Sequence, residues 1–182
     1  DYAEYLLGLC FYEQIVDEKK DLKSIIDAKK IFLNVVEKYP LTDFAIDAEF
    51  KLDLIEDILA AKEIYLGRYY LDKKKWIAAI NRFRTVTDKH DTTIYVEEAL
   101  HRLVELYYII GLEDEAKKYA NTLGYNYRSS EWYEKSYIIF DKMYQFKILN
   151  NQNKFLIPCI FEWIYLAREE SIIYGVNVYQ VR

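Results

Sequence analysis

Glu98 and His101 stand three residues apart in a stretch of helical periodicity, which puts both side chains on one face of a helix. Carboxylate-bridged two-metal bundles use two such Glu-x-x-His pairs with two further glutamates. The other histidine, His90, has no glutamate three residues before it, so no metal and no cofactor is expected. Nucleophilic catalysis needs a Ser/His/Asp or Cys/His set, phosphate binding a glycine-rich loop, and structural zinc paired ligand spacings. None of these patterns occurs, and no enzyme is expected. What remains is recognition through charge and hydrogen bonds. Arg82 is its best carrier, lying between Ala79 and Phe83, both of which should point into a helix stack. An arginine emerging at the rim of such a stack can clamp a partner's carboxylate bidentately, or pair locally with Glu63 or Asp88. Asn81 is a candidate for bonding a partner backbone. Tyr69 and Tyr70 cannot both face inward, so Tyr70 is read as packing and Tyr69 as the better partner contact.

The elements that would hold these residues are helices. Five glycines and two prolines in 182 residues are too few for the turns of an all-β domain. Apolar residues at 52% and charged residues at 30% mark a globular chain. The net charge is −5, and lysines and arginines are spread along every segment, which argues against a nucleic-acid footprint. Nineteen tyrosines are read as inter-helix filler with a wet hydroxyl. Cys10 and Cys159 make no disulfide framework. Leu7-Gly8-Leu9-Cys10 is not read as a lipidation box: acidic Asp1 and Glu4 stand where basic residues belong, and no long apolar run precedes Cys10. No targeting segment is expected, and the longest apolar run, Phe155 to Ala167, is interrupted by Pro158 and Glu162 and too short to span a membrane.

Small residues recur in one pattern. Ala28 and Ala79 are each followed four residues later by an aromatic, Phe32 and Phe83, while Ala116 is followed by Ala120. Leu7-Gly8-x-x-Phe11 and Leu66-Gly67-x-x-Tyr70 repeat a second string. Small residues let two antiparallel helices approach, and the rings fill the gap to the next pair. This pattern resembles tetratricopeptide (TPR) hairpins stacked in a right-handed solenoid. Periodicity predicts helices over 2–16, with Leu6, Leu7, Cys10 and Phe11 inward, and over 25–39, with a charged connector, 17–24, between them. Pro40 stops the second helix. One long central helix, 43–71, then presents two adjacent apolar stripes, the second formed by Leu54, Ile58, Ala61 and Tyr65. Helices 76–89, 94–110, 113–123 and a capping helix 132–149 follow. The solenoid is thus assigned to 1–149 and a separate tail to 150–182, read as one more helix and an extended or disordered end.

Four strings carry a more specific resemblance: Asp1–Glu13 (DYAEYLLGLCFYE), Ala28–Pro40 (AKKIFLNVVEKYP), Ala61–Phe83 (AKEIYLGRYYLDKKKWIAAINRF) and Val96–Tyr107 (VEEALHRLVELY). In this order, over about residues 1–140, they resemble the outer-membrane assembly lipoproteins of the BamD family, also called ComL or YfiO. The resemblance implies an all-α scaffold at the periplasmic face of the outer membrane of a Gram-negative bacterium. Its partners would be a POTRA domain of a BamA-type barrel protein, the other assembly subunits and unfolded outer-membrane proteins. Membrane attachment would run only through an N-terminal lipid absent from this chain. Asn81 and Arg82 would lie in the BamA-facing region. The chain would begin at the third repeat, so an uncapped first helix is expected to self-associate. Arg128 stands where the family has proline, and the tail has no recognised counterpart. A generic TPR module for short peptide tails is the alternative.

Overall fold

The computed structural model describes residues 1–14 and 22–152, with side chains as far as Asp141. The expected tail helix, 155–182, and most of the first connector lie outside the described residues. All secondary structure among the described residues is helical: α1 (Tyr2–Glu13), α2 (Leu22–Lys38), α3 (Asp43–Asp72), α4 (Trp76–Lys89), α5 (Val96–Ile109), α6 (Glu113–Asn126) and α7 (Glu131–Gln152). The described residues up to Ser136 form one compact unit, and a second begins at Tyr137. Within the first, each helix packs on the next in chain order from α1 to α6, and α1 also touches α3. Short connectors turn these neighbours into helical hairpins.

Local chemistry sets the boundaries. Pro40 follows the end of α2, and Thr42 caps α3, its Oγ1 accepting the Ala45 N–H at 3.2 Å. The α3–α4 and α5–α6 turns close in the same way. The Lys75 N–H donates to the Tyr70 carbonyl at 2.9 Å, and the Leu112 N–H to that of Tyr107 at 2.9 Å. Such a cap needs a left-handed residue: Gly111 supplies it at φ 85°, whereas in the earlier turn Lys74 is forced to φ 58°.

Small residues permit the close packing. Ala28, Ala79 and Ala116 are each fully buried. At Gly8 a β-carbon would stand 2.6 Å from the Phe32 ring, and at Gly67 2.6 Å from that of Phe83. Both rings are fully buried, so neither contact tolerates an added methyl without movement. A third Leu-Gly-x-x-aromatic string, Leu123-Gly124-x-x-Tyr127, escaped the sequence reading; a β-carbon at Gly124 would lie 2.8 Å from Tyr133. Positions 37 apart play equivalent parts: 67 and 104, 70 and 107, 74 and 111, 79 and 116, 83 and 120. The Gly67–Phe83 pair is matched in the later hairpin by Val104 and Ala120, a trade of small-against-large for middle-against-small.

Two expectations are corrected. In α1, Leu6, Leu7 and Cys10 are exposed; Tyr5, Leu9, Phe11 and Tyr12 flank the core instead, and only Phe11 of the expected set packs inward. The reason is Gly8, which must face Phe32. At 100° per residue Leu6 and Cys10 then fall on the opposite side of the helix. In α3, Leu54 and Tyr65 are about half exposed, so the second apolar stripe is not a buried one.

Candidate functional site

Arg82 leaves α4 toward α3, where one terminal nitrogen, Nη1, donates to both carboxylate oxygens of Glu63, at 3.2 and 3.4 Å. Of the two local partners available by sequence, Glu63 is therefore the one used; Asp88 faces Arg84 at 4.0 Å. The Glu63 side chain is 18% exposed and that of Arg82 41%. Both bonds use Nη1, so Nε–H and the second amino group keep their donors without a partner among the described residues. Asn81 is exposed, and its carbonyl accepts the Thr85 hydroxyl at 2.9 Å.

The two tyrosines separate. Tyr70 packs against the core built from α3, α4, α5 and α6. Tyr69 is half exposed, with its ring edge-on to Tyr70 at 5.6 Å and Lys73 Nζ 6.0 Å above it. Six residues from Glu63 on an α-helix, Tyr69 projects about 120° away from the Arg82 contact. The structure thus brings Arg82 and Glu63 together, leaves Asn81 exposed on α4 about 100° round the helix from Arg82, sends Tyr70 into the core and leaves Tyr69 on another face.

A denser polar cluster was not foreseen. Glu98, buried on α5, takes a two-point grip from Arg68 of α3: Nε donates at 2.7 Å and Nη2 also donates. This bond holds the Arg68 guanidinium above its already high pKa against the opposing effect of burial. Arg102 Nε lies 3.7 Å from Glu98, and Arg102 Nη1 donates to Glu105 at 2.6 Å. Burial opposes ionisation of Glu105, yet the hydrogen bond from His101 and the charge of Arg102 outweigh it and bring its pKa down to about 2. His101 Nδ1 meets Ser136 Oγ at 2.8 Å and Nε2 lies 3.5 Å from Glu105. Ser136, His101 and Glu105 follow the order of a hydrolytic triad. The hydroxyl, however, is in a residue only 1% exposed and also bonds the Trp132 carbonyl at 2.9 Å, so no external substrate reaches it. Trp132 closes the cluster, with the His101 ring at 5.2 Å, the Arg102 guanidinium at 5.6 Å and Lys135 Nζ at 4.3 Å.

Glu98 and His101 therefore turn to Arg68, Arg102, Ser136 and Glu105, and among the described residues no three metal-binding side chains gather. The pairs within α5 were visible as i,i+3 and i,i+4 spacings; Arg68 and Ser136, distant in sequence, carried no signal. His90 is likewise held by a carboxylate, Nδ1 at 2.6 Å from Glu56. Glu56 also pairs with Lys29; burial works against its charge, but the bonds from Lys29 and His90 prevail and keep its pKa low.

Comparison with known proteins places these residues in a family. The profile of the YfiO family, described as an outer membrane lipoprotein, matches residues 1–123. The chain is 49% identical over 136 residues to the outer membrane protein assembly factor BamD of Rickettsia prowazekii, covering 75% of this chain and 54% of that one. To BamD of Caulobacter vibrioides it is 45% identical over 136 residues, covering 75% and 45%. BamD of Neisseria gonorrhoeae is 30% identical over 118 residues, covering 59% and 44%. The chain spans about half the length of the relatives it matches. Among the described residues no helix is long and apolar enough to cross a membrane. With Arg82, Glu63, Arg68 and Glu98 all inside the matched region, the chain belongs to the YfiO family of outer membrane lipoproteins, the family of the BamD assembly factors.

Proposed function

We propose that this chain is a non-enzymatic scaffold segment of the β-barrel assembly machinery, and that it docks a POTRA domain of a BamA-type protein through Arg82 and Asn81. In this reading α1 to α7 form TPR hairpins in a right-handed solenoid over residues 1–149, with 150–182 as a separate tail. The scaffold works at the periplasmic face of a Gram-negative outer membrane, beside other assembly subunits and unfolded outer-membrane proteins. Tyr69 is a subsidiary contact on a second face, and Tyr70 supports α3 from the core.

The observation that carries the reading is the state of Arg82. Glu63 holds the guanidinium by one nitrogen and leaves its remaining donors presented beside exposed Asn81. A carboxylate on a partner would meet them as a fork. If the new pair is desolvated, its loss costs about 2–5 kcal/mol. The test is binding of the chain to a purified BamA-type periplasmic region. Arg82→Glu is expected to abolish it while circular dichroism shows the helices retained; unchanged affinity would overturn the assignment of Arg82. Self-association through α1 belongs to the same proposal, because Leu6 and Leu7 stand exposed. Sedimentation should show concentration-dependent mass that Leu7→Lys removes, and a strictly monomeric chain would refute it.

A further inference from the structure

The N-terminal half of α3 carries an apolar row that nothing among the described residues covers. Ile46, Phe50 and Leu54, four residues apart, are 53%, 64% and 47% exposed. Four-residue steps place them along one face for two turns, a rise of about 12 Å. A carboxylate stands three residues after each: Glu49, Asp53 and Asp57. These form a second row about 60° round the helix. No basic side chain pairs with any of the three among the described residues, although Glu56, Glu63 and Glu98 nearby on this fold all have cationic partners. On its other flank the apolar row is bounded by α1, where the Tyr5 hydroxyl donates to Asp47 at 2.5 Å and Lys51 lies 5.1 Å from the Tyr12 ring.

We infer that this face of α3 is a docking site for an amphipathic helix of another protein that carries lysine or arginine beside its apolar face. Apolar contact supplies the attraction and the unpaired acidic row sets the sign of the partner's charge. The same row repels the phosphates of a membrane surface or a nucleic acid. A helix has no free backbone edge, so strand addition is not available, whereas a second helix keeps its own backbone satisfied and can lay an i, i+4 ridge alongside this one. The site is separate from Arg82, which contacts α3 at Glu63, and it stands without the reading of Arg82 given above.

The probe is a synthetic amphipathic helical peptide with leucines on one face and lysines three residues after each, compared with its glutamate counterpart. Fluorescence anisotropy with the full 182-residue chain should show the lysine peptide binding at least tenfold more tightly, and more weakly as salt is raised. Phe50→Asp should weaken it at least tenfold. Asp53→Lys with Asp57→Lys should exchange the preference, so that the glutamate peptide becomes the tighter ligand, a result a merely sticky patch would not give. Phe50 and Asp53 are exposed and Asp57 is half-buried, so circular dichroism is recorded for each variant to check that the parent's helix content is kept. Arg82→Glu should leave peptide binding unchanged. Equal binding of the two peptides, no binding of either, or loss of binding on Arg82→Glu would overturn the inference. A dimer in sedimentation that Phe50→Asp dissolves would do so as well, because the occupant would then be a second copy of the chain.

Discussion

Replacing Gly67 by alanine sets two effects of opposite sign against each other. Alanine inside a helix is favoured over glycine by about 1 kcal/mol, so propensity alone predicts a more stable protein. The new β-carbon, however, would stand 2.6, 2.7 and 3.1 Å from three carbons of the Phe83 ring. Carbon atoms prefer about 3.5–4.0 Å, so roughly 1 Å must be found by moving the ring or the α4 backbone. Phe83 is fully buried among Ala60, Ile64 and Ala79, which leaves the ring no free volume to enter. Overpacking of this kind costs about 1–3 kcal/mol, and two contacts this short put the cost at the upper end. After the propensity gain the net loss is about 2 kcal/mol. Urea denaturation followed by far-ultraviolet circular dichroism measures it directly. The double variant Gly67→Ala/Phe83→Leu should lose at least about 1 kcal/mol less than the sum of its singles, since leucine vacates the space the methyl needs. A stabilised Gly67→Ala protein, or strict additivity in the cycle, would refute the claim that this glycine exists to admit the ring.

Lys74→Gly should raise stability by about 1 kcal/mol, because glycine adopts the left-handed conformation that lysine is forced into there; a lowered melting temperature would contradict this. Acid should destabilise the fold through Glu105. Its folded pKa of about 2 lies below the reference of 4.5, so its contribution is complete above the reference value and disappears as pH falls from there toward about 2. At about 1.4 kcal/mol per unit the ceiling is about 3.5 kcal/mol. Glu105→Gln should flatten that acid limb in chemical denaturation, leaving the part due to other paired carboxylates such as Glu56; parallel losses in parent and variant would argue against it.

How far these features could be read in advance depends on their range. The spacing of Ala28 and Phe32, or of Gly67 and Tyr70, is local, and local spacing reports which face of a helix is small. That made the hairpins legible. It also misled in α1, where a glycine on the buried face carries no hydrophobicity, so Leu6, Leu7 and Cys10 drew the predicted face away from Gly8. Arg68–Glu98 and His101–Ser136 join residues 30 and 35 positions apart, and no periodicity encodes such pairs. At Arg82 two local carboxylates stood within sequence reach, and only the packing of α4 on α3 chose Glu63 over Asp88.

The Arg82–Glu63 pair bears on the proposed docking, because a bond within its own chain competes with any partner for the arginine. That competition is weak. An ion pair with a half-exposed arginine is worth about 0–1 kcal/mol, too little to withhold the group from a desolvated partner carboxylate worth several times more. The geometry goes further, since Glu63 engages Nη1 alone and three N–H donors of the guanidinium have no partner among the described residues. In the proposed docking its carboxylate would act as a brace that fixes the long side chain before a partner arrives, reducing the rotamer entropy lost on binding by about 0.5–1.5 kcal/mol. Glu63→Gln should consequently weaken binding to a BamA-type periplasmic region by several-fold, far less than Arg82→Glu, and should lower the affinity more at low salt than at high salt. If Glu63→Gln instead tightens binding, the pair is a competitor that must be broken, and Arg82 is held back from its partner.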